Sequence, residues 1–231
     1  LELILKDLET TSRALTKAES DAKSMDAKKI EQRDILARFK SNLGKELLLS
    51  RLELPEEDRL VANEIGLLTQ KPMLVVFNIS DEELRNAWQP DKTLLERLNR
   101  IPYMAFPIGI ESEATGLSEP EAEEFRDLAG IKERGLDILI RKSYEVLGLI
   151  TFFTTGEDET RAWTIPAGSK APRAGRAIHS DFEDKFIRAE VIYWNKLLEA
   201  GSWAKARDLG NLRTEGKEYV VKNGDVIEFR I

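Results

Sequence analysis

The residues best suited to hold a ligand by hydrogen bonding stand together at Asn78-Ile79-Ser80-Asp81, directly after the unbroken apolar run Met73-Leu74-Val75-Val76-Phe77. A run without polar alternation predicts a strand buried on both faces of a parallel sheet. Residues just past the carboxyl end of such a strand lie where open α/β sheets bind ligands. The tetrad also has a reading that needs no ligand: Ser80 can cap a helix with Glu83 three residues on, which makes the stretch a turn and a helix start. Further along, Lys170, Arg173 and Arg176 fall in a stretch without an acid, residues 168–176, and Lys185 and Arg188 follow shortly after. Such cations can grip RNA phosphates, because those contacts need only well-placed positive charge. Residues 148–231 hold 13 bases and 13 acids, so an ordinary solvated surface is the alternative. His179-Ser180-Asp181 contains the residue types of a hydrolytic triad, but a triad is an arrangement in space, and the only histidine is read as shaping a turn. No cluster supplies the three or four ligands that a metal needs.

Three stretches of chain must position these groups. Over residues 1–70, Leu1, Ile4, Leu8, Thr11, Leu15 and Ala18 recur at helical spacing, and Leu36, Phe39, Leu43 and Leu47 form a second stripe, which predicts a helical arm built as an antiparallel coiled coil. Between Lys17 and Lys40 seven bases face five acids, so the arm is slightly positive: a solvated surface, or a contact for an acidic partner. Residues 71–147 read as strand, helix, strand, helix, helix, with a second strand at Tyr103-Met104-Ala105-Phe106, a helix capped by Ser118 and Glu121, and stops at Gly130 and Gly148. Residues 148–231 turn to short β-rich runs, at 150–153, 161–165, 186–192, 219–221 and 226–229. Asn223-Gly224 signals a hairpin, and one or two helices are expected on one face of a mixed sheet.

Composition narrows the class. With 42 acids against 35 bases the 231-residue chain carries a net charge of −7, which argues against coating nucleic acid through an overall field, so any RNA contact is local. The absence of cysteine removes disulfides and thiolate chemistry and fits a reducing cytoplasm. No apolar run reaches the roughly 18 residues of a membrane span. A monomer with no membrane partner is expected.

Several blocks together resemble one family, the Obg-like ATPases (YchF): Thr151-Phe152-Phe153-Thr154-Thr155-Gly156, Arg161-Ala162-Trp163-Thr164-Ile165, Gly168-Ser169-Lys170-Ala171-Pro172, Ile178-His179-Ser180-Asp181-Phe182-Glu183, Phe186-Ile187-Arg188-Ala189-Glu190-Val191 and Gly224-Asp225-Val226-Ile227. The resemblance extends upstream through Lys71-Pro72 and Asn78 to Asp81, and more loosely through the arm. It implies an α/β fold: part of a P-loop (Rossmann-like) nucleotide-binding domain carrying the coiled-coil arm, then an α+β TGS domain of the β-grasp type. It implies an ATPase that associates with ribosome or RNA and regulates translation, with ATP rather than GTP and Mg²⁺ serving the intact protein.

Asn78, Ile79, Ser80 and Asp81 then correspond to the base-recognition tetrad, N-x-x-E in the family and N-K-x-D in GTP-binding relatives; here Ile79 stands for the lysine and Asp81 for the glutamate. Ile108 and Gly109 correspond to the next base-contacting loop. The TGS resemblance points to RNA contact by Lys170, Arg173, Arg176, Lys185 and Arg188. The pattern G-x-x-x-x-G-K-[ST] occurs nowhere in the chain. The resemblance therefore implies a carboxyl-terminal part with its phosphate cradle upstream of Leu1, no catalytic residue of its own and no tightly bound nucleotide. The rival reading is a non-enzymatic TGS adaptor for RNA or protein.

Overall fold

A computed structural model describes residues 1–156 and 159–231 and divides into two compact units, Leu1–Met73 and Leu74–Ile231. The expected boundary after residue 147 falls inside the second unit, which holds two separate sheets.

In the first unit, α1 (Glu2–Asp21) and α2 (Ala27–Gly44) pack along the two predicted stripes, followed by the short α3 (Glu56–Glu64). Ile4, Leu15 and Ala18 meet Leu36, Phe39 and Leu43 in one core with Leu49 and Leu67. Burying such side chains contributes about 1.5–3 kcal/mol each for the larger ones. Leu1 and Leu47, read as parts of the stripes, are exposed because they sit at the helix ends. Asp26 starts α2 by accepting from the Lys28 and Lys29 amides, which satisfies two of the donors left open at a helix start.

The seam hides a carboxylate. Asp7 is 1% exposed, and its two oxygens accept from the amides of Leu68 (2.9 Å) and Thr69 (2.7 Å). That pins the end of the unit to α1, while the Ser50 amide donates to the Thr69 carbonyl from the other side. A second tie, Arg38 to the buried Asp58 at 2.7 Å, holds α3 to α2.

The second unit opens with β1 (Val75–Asn78), α4 (Asp81–Arg85), α5 (Lys92–Leu98) and β2 (Tyr103–Phe106). The two strands pair in parallel, Val75 opposite Tyr103 and Asn78 opposite Phe106. β1 is not buried on both faces as its sequence predicts: Val75 and Phe77 are half-buried, while Val76 and Asn78 are exposed. Phe77 meets Trp88 and Tyr103 at ring distances of 5.3 and 5.9 Å, which seats the crossover on one face only. Then come α6 (Ile108–Ala114), α7 (Glu119–Leu128) and α8 (Gly135–Leu147). Ser118 and Glu121 form the predicted capping box, and Gly130 and Gly148 adopt the left-handed backbone that ends a helix.

The rest of the unit is a sheet of order β4-β3-β7-β5-β6, made of β3 (Leu149–Thr155), β4 (Thr160–Pro166), β5 (Arg188–Tyr193), β6 (Arg213–Glu215) and β7 (Asp225–Arg230). Only β3 and β7 pair in parallel. Helices cover both faces, not one. Phe152, Ala189, Val191, Ile227 and Phe229 pack with residues of α9 (Ala171–Arg176) and α10 (Ser180–Asp184), while Phe153, Ile192 and Val226 pack with α11 (Trp194–Ala200) and α12 (Trp203–Asp208). Adjacent apolar residues such as Phe152-Phe153 and Val226-Ile227 thus serve opposite cores, since successive strand side chains point to opposite faces.

The Asn223-Gly224 turn is present, but it does not join the predicted hairpin. Val220 bridges to Lys170, and the turn instead clasps β3: Asn223 Oδ1 accepts from the Thr151 amide at 2.9 Å, and the Gly224 amide donates to the Thr151 carbonyl at 2.8 Å. Gly224 has φ +87°, and a Cβ there would stand 2.7 Å from the Tyr193 ring, so only glycine fits without displacement.

Asp7→Ala should cost about 2–3 kcal/mol, because two buried amides lose a charged acceptor. The readout is a lowered urea midpoint at unchanged slope; a midpoint equal to the parent's would show that water satisfies those amides.

Candidate functional site

Parallel pairing brings the ends of β1 and β2 to one side, and there the chain builds a cavity. Asn78, the last residue of β1, turns its side-chain carbonyl across to the next loop and accepts from the Ile108 amide at 3.1 Å. The Ile79 amide reaches the Phe106 carbonyl at 3.4 Å, extending the strand pairing by one residue. Two of the sequence-predicted positions, Asn78 and Ile108, are therefore in direct contact; Gly109 is exposed on the first turn of α6.

Ile79 is 8% exposed and does not line the cavity, so its position is a packing position. Ser80 serves the backbone. Its hydroxyl accepts from the Glu83 amide, and Glu83 accepts from the Ser80 amide at 2.8 Å, the complete capping box that starts α4. The Ser80 backbone amide, then its hydroxyl, hold the Glu83 carboxyl below the usual range by bonding its charged form. Asp81 follows as the first helical residue.

A cavity of about 550 Å³ lies beside α4, lined by Asp81, Leu84, Arg85, Ile110, Leu128, Ala129 and Gly130. Ligand sites commonly enclose about 300–1,000 Å³. Asp81 and Arg85 stand one helical turn apart, and neither forms an ion pair among the described residues, so one acceptor and one donor remain available at the same wall. Arg85, Leu84 and the Leu128–Gly130 turn escaped the sequence reading. The only available signal was the helical spacing from Asp81 to Leu84 and Arg85.

The predicted cation group folds differently from its sequence. Lys170 pairs with Glu218, Arg176 with Glu183 at 2.8 Å, Arg173 lies 4.0 Å from Glu183, and Lys185 pairs with Asp181 at 2.8 Å. The acid-free stretch is neutralised by acids from elsewhere in the chain. Arg188 is exposed and has no ion-pair partner among the described residues. His179 caps α10, its Nδ1 accepting from the Asp181 amide at 3.2 Å. Trp163 and Trp203 pack against the two cores, while Trp194 is 44% exposed. Among the described residues no group of three or more histidines or acids is arranged to hold a metal ion, and no helix is long and apolar enough to cross a membrane.

The architecture is that of a mixed α/β protein with a cavity at the carboxyl ends of parallel strands and a mixed five-stranded sheet after it. Residues 149–231 match the family YchF-GTPase_C, described as "Protein of unknown function (DUF933)". Over its full length the chain is 42% identical to the ribosome-binding ATPase YchF of Bacillus subtilis and covers 64% of that protein. It is 34% identical over 99% of its length to the protein of the same name from Escherichia coli O157:H7, covering 63% of it. The solved structure of the Schizosaccharomyces pombe YchF GTPase overlays 99% of the chain and 63% of that structure, with a TM-score of 0.78 at 27% identity. The chain is thus similar along its length to proteins named YchF, and spans less than two thirds of those it matches.

Asn78→Ala should release the Ile108 amide, speeding its hydrogen exchange and costing about 1 kcal/mol of stability. Unaltered protection at Ile108 would mean that the strand pairing alone holds the loop.

Proposed function

We propose that this chain supplies the base-recognition edge, the arm and a TGS-type β-grasp module of a ribosome-associated, YchF-type ATPase acting in the cytoplasm. The observation that carries the reading is the unpaired Asp81–Arg85 couple on one wall of a cavity whose neighbouring loop is tied to Asn78. An adenine edge presents an amino group beside a ring nitrogen, a donor next to an acceptor. A carboxylate and a guanidinium one turn apart complement that edge, and Leu84, Ile110 and Leu128 give the ring apolar walls.

ATP is therefore the favoured nucleotide, with GTP second. The phosphates and their magnesium ion are assigned to residues of the intact protein outside this chain, because phosphoryl transfer needs a cradle of backbone amides and a lysine that the sequence pattern here does not supply. Ribosome or RNA contact is assigned to the arm and to the face carrying Lys170, Arg173, Arg176, Lys185 and Arg188. The ribosome-binding relatives support it, and the exposed ion pairs there are weak enough to exchange for phosphate.

Titrating the 231-residue chain with adenosine should move the methyl resonances of Leu84, Ile110 and Leu128, and guanosine should move them less. Equal responses would remove the adenine preference, and no response to either would remove the site. Separately, replacing Lys170, Arg173 and Arg176 together by glutamate should lower co-sedimentation with ribosomes by about tenfold at moderate salt. The thermal transition should hold, and an undiminished bound fraction would exclude this face.

A further inference from the structure

The walls of the cavity come from three helices, and one partly buried ion pair joins two of them. Glu111 is on α6 next to the wall residue Ile110; Arg126 is on α7 two residues before the wall turn at Leu128–Gly130. Arg126 is 8% exposed, and its Nε lies 3.4 Å from Glu111 Oε2. The second oxygen of Glu111 accepts from the Gly135 amide at 2.6 Å, which draws the start of α8 into the same knot. A Cβ on Gly135 would stand 2.6 Å from the Phe106 ring, so the knot sits directly on the end of β2. Downstream, the Arg126 carbonyl accepts from the Ile131 amide at 2.9 Å and closes the turn that forms the far wall.

We propose that Glu111 and Arg126 are positioning residues that set the distance between the Ile110 wall and the Leu128–Gly130 wall, and with it the choice of purine. The inference rests on the base-site reading above. Neither residue lines the cavity, so neither contacts the base. Their effect is geometric: a donor–acceptor couple on α4 reads a ring edge only if the opposite walls hold the ring in its plane. Breaking a buried pair also leaves one charge without its partner, so the two helices are expected to separate rather than close up.

The test compares the 231-residue chain with Arg126→Met and Arg126→Lys, using adenosine and guanosine as probes and methyl resonances of Ile110 and Leu128 as readout. Arg126→Met should weaken adenosine binding by about tenfold, since a displacement of about 1 Å can cost that much or more. It should also bring the adenosine-to-guanosine ratio toward one and speed amide exchange at Ala129 and Gly130. Arg126→Lys, which keeps the cation, should restore most of the affinity and the ratio. Where Arg126→Met fails to fold, Glu111→Gln combined with Arg126→Met removes both charges and carries the same comparison. Unchanged affinity and an unchanged ratio in the variants overturn this proposal and leave the base site standing. No response in the unaltered chain overturns the base site itself, and this inference with it, and is recognised before any variant is made.

Discussion

The candidate site depends on one constraint: β1 and β2 run in parallel. Parallel strands finish at the same edge, so the residue that ends β1 and the loop that follows β2 meet although 30 positions separate Asn78 from Ile108 in the chain. An antiparallel pair would have sent them to opposite edges. The crossover that parallel pairing demands also carries α4, whose start three residues past Asn78 sets Asp81 and Arg85 on one wall. The Ser80–Glu83 capping box fixes where that helix begins, and hence which side chains face inward. A start one residue later would rotate the wall by about 100° and turn the carboxylate away.

The tetrad's ligand-free reading, a turn and a helix start, is present in the fold. Ser80 is a helix cap and Asn78 a loop tie, and these backbone roles are what place Asp81. Ile79 shows the same economy in reverse: the position that carries lysine in the guanine-reading pattern is here turned inward and packed. Replacing it by lysine would bring an ammonium group to a buried position, where desolvation would oppose the fold.

Local signals were the most legible part of the sequence. The stripes Ile4-Thr11-Leu15-Ala18 and Leu36-Phe39-Leu43, both capping boxes, the strand at Tyr103–Phe106 and the glycine stops at Gly130 and Gly148 need only neighbours in the chain, and each stands where its spacing put it. Long-range partners were not legible. Nothing near Tyr219 announces that Val220 bridges to Lys170 while the Asn223-Gly224 turn serves β3, and nothing in the apolar run at Met73–Phe77 announces that Val76 stays exposed. Phe152-Phe153 reads as one apolar pair but feeds two cores, because helices close the sheet on both sides. Of the cavity's lining only Asp81 came from the motif; Leu84 and Arg85 follow it at helical spacing, whereas Ile110 and the Leu128–Gly130 turn are its neighbours only in space.

The cation group extends the same lesson to electrostatics. An acid-free stretch of sequence is a poor guide to a free positive surface, because side chains reach acids that the fold delivers: Glu218 for Lys170, Glu183 for Arg176, Asp181 for Lys185. The pairs are solvent-exposed, so each contributes about 0–1 kcal/mol and can be exchanged. A phosphate that displaces one of these carboxylates gains less than one that meets a free cation, since the old pair is lost as the new one forms. Binding at this face would then draw most on Arg188, the cation here without an internal partner among the described residues. Its dependence on salt would be shallower than five cations would give, because the carboxylates freed from those internal pairs take up part of the cations released from the phosphates.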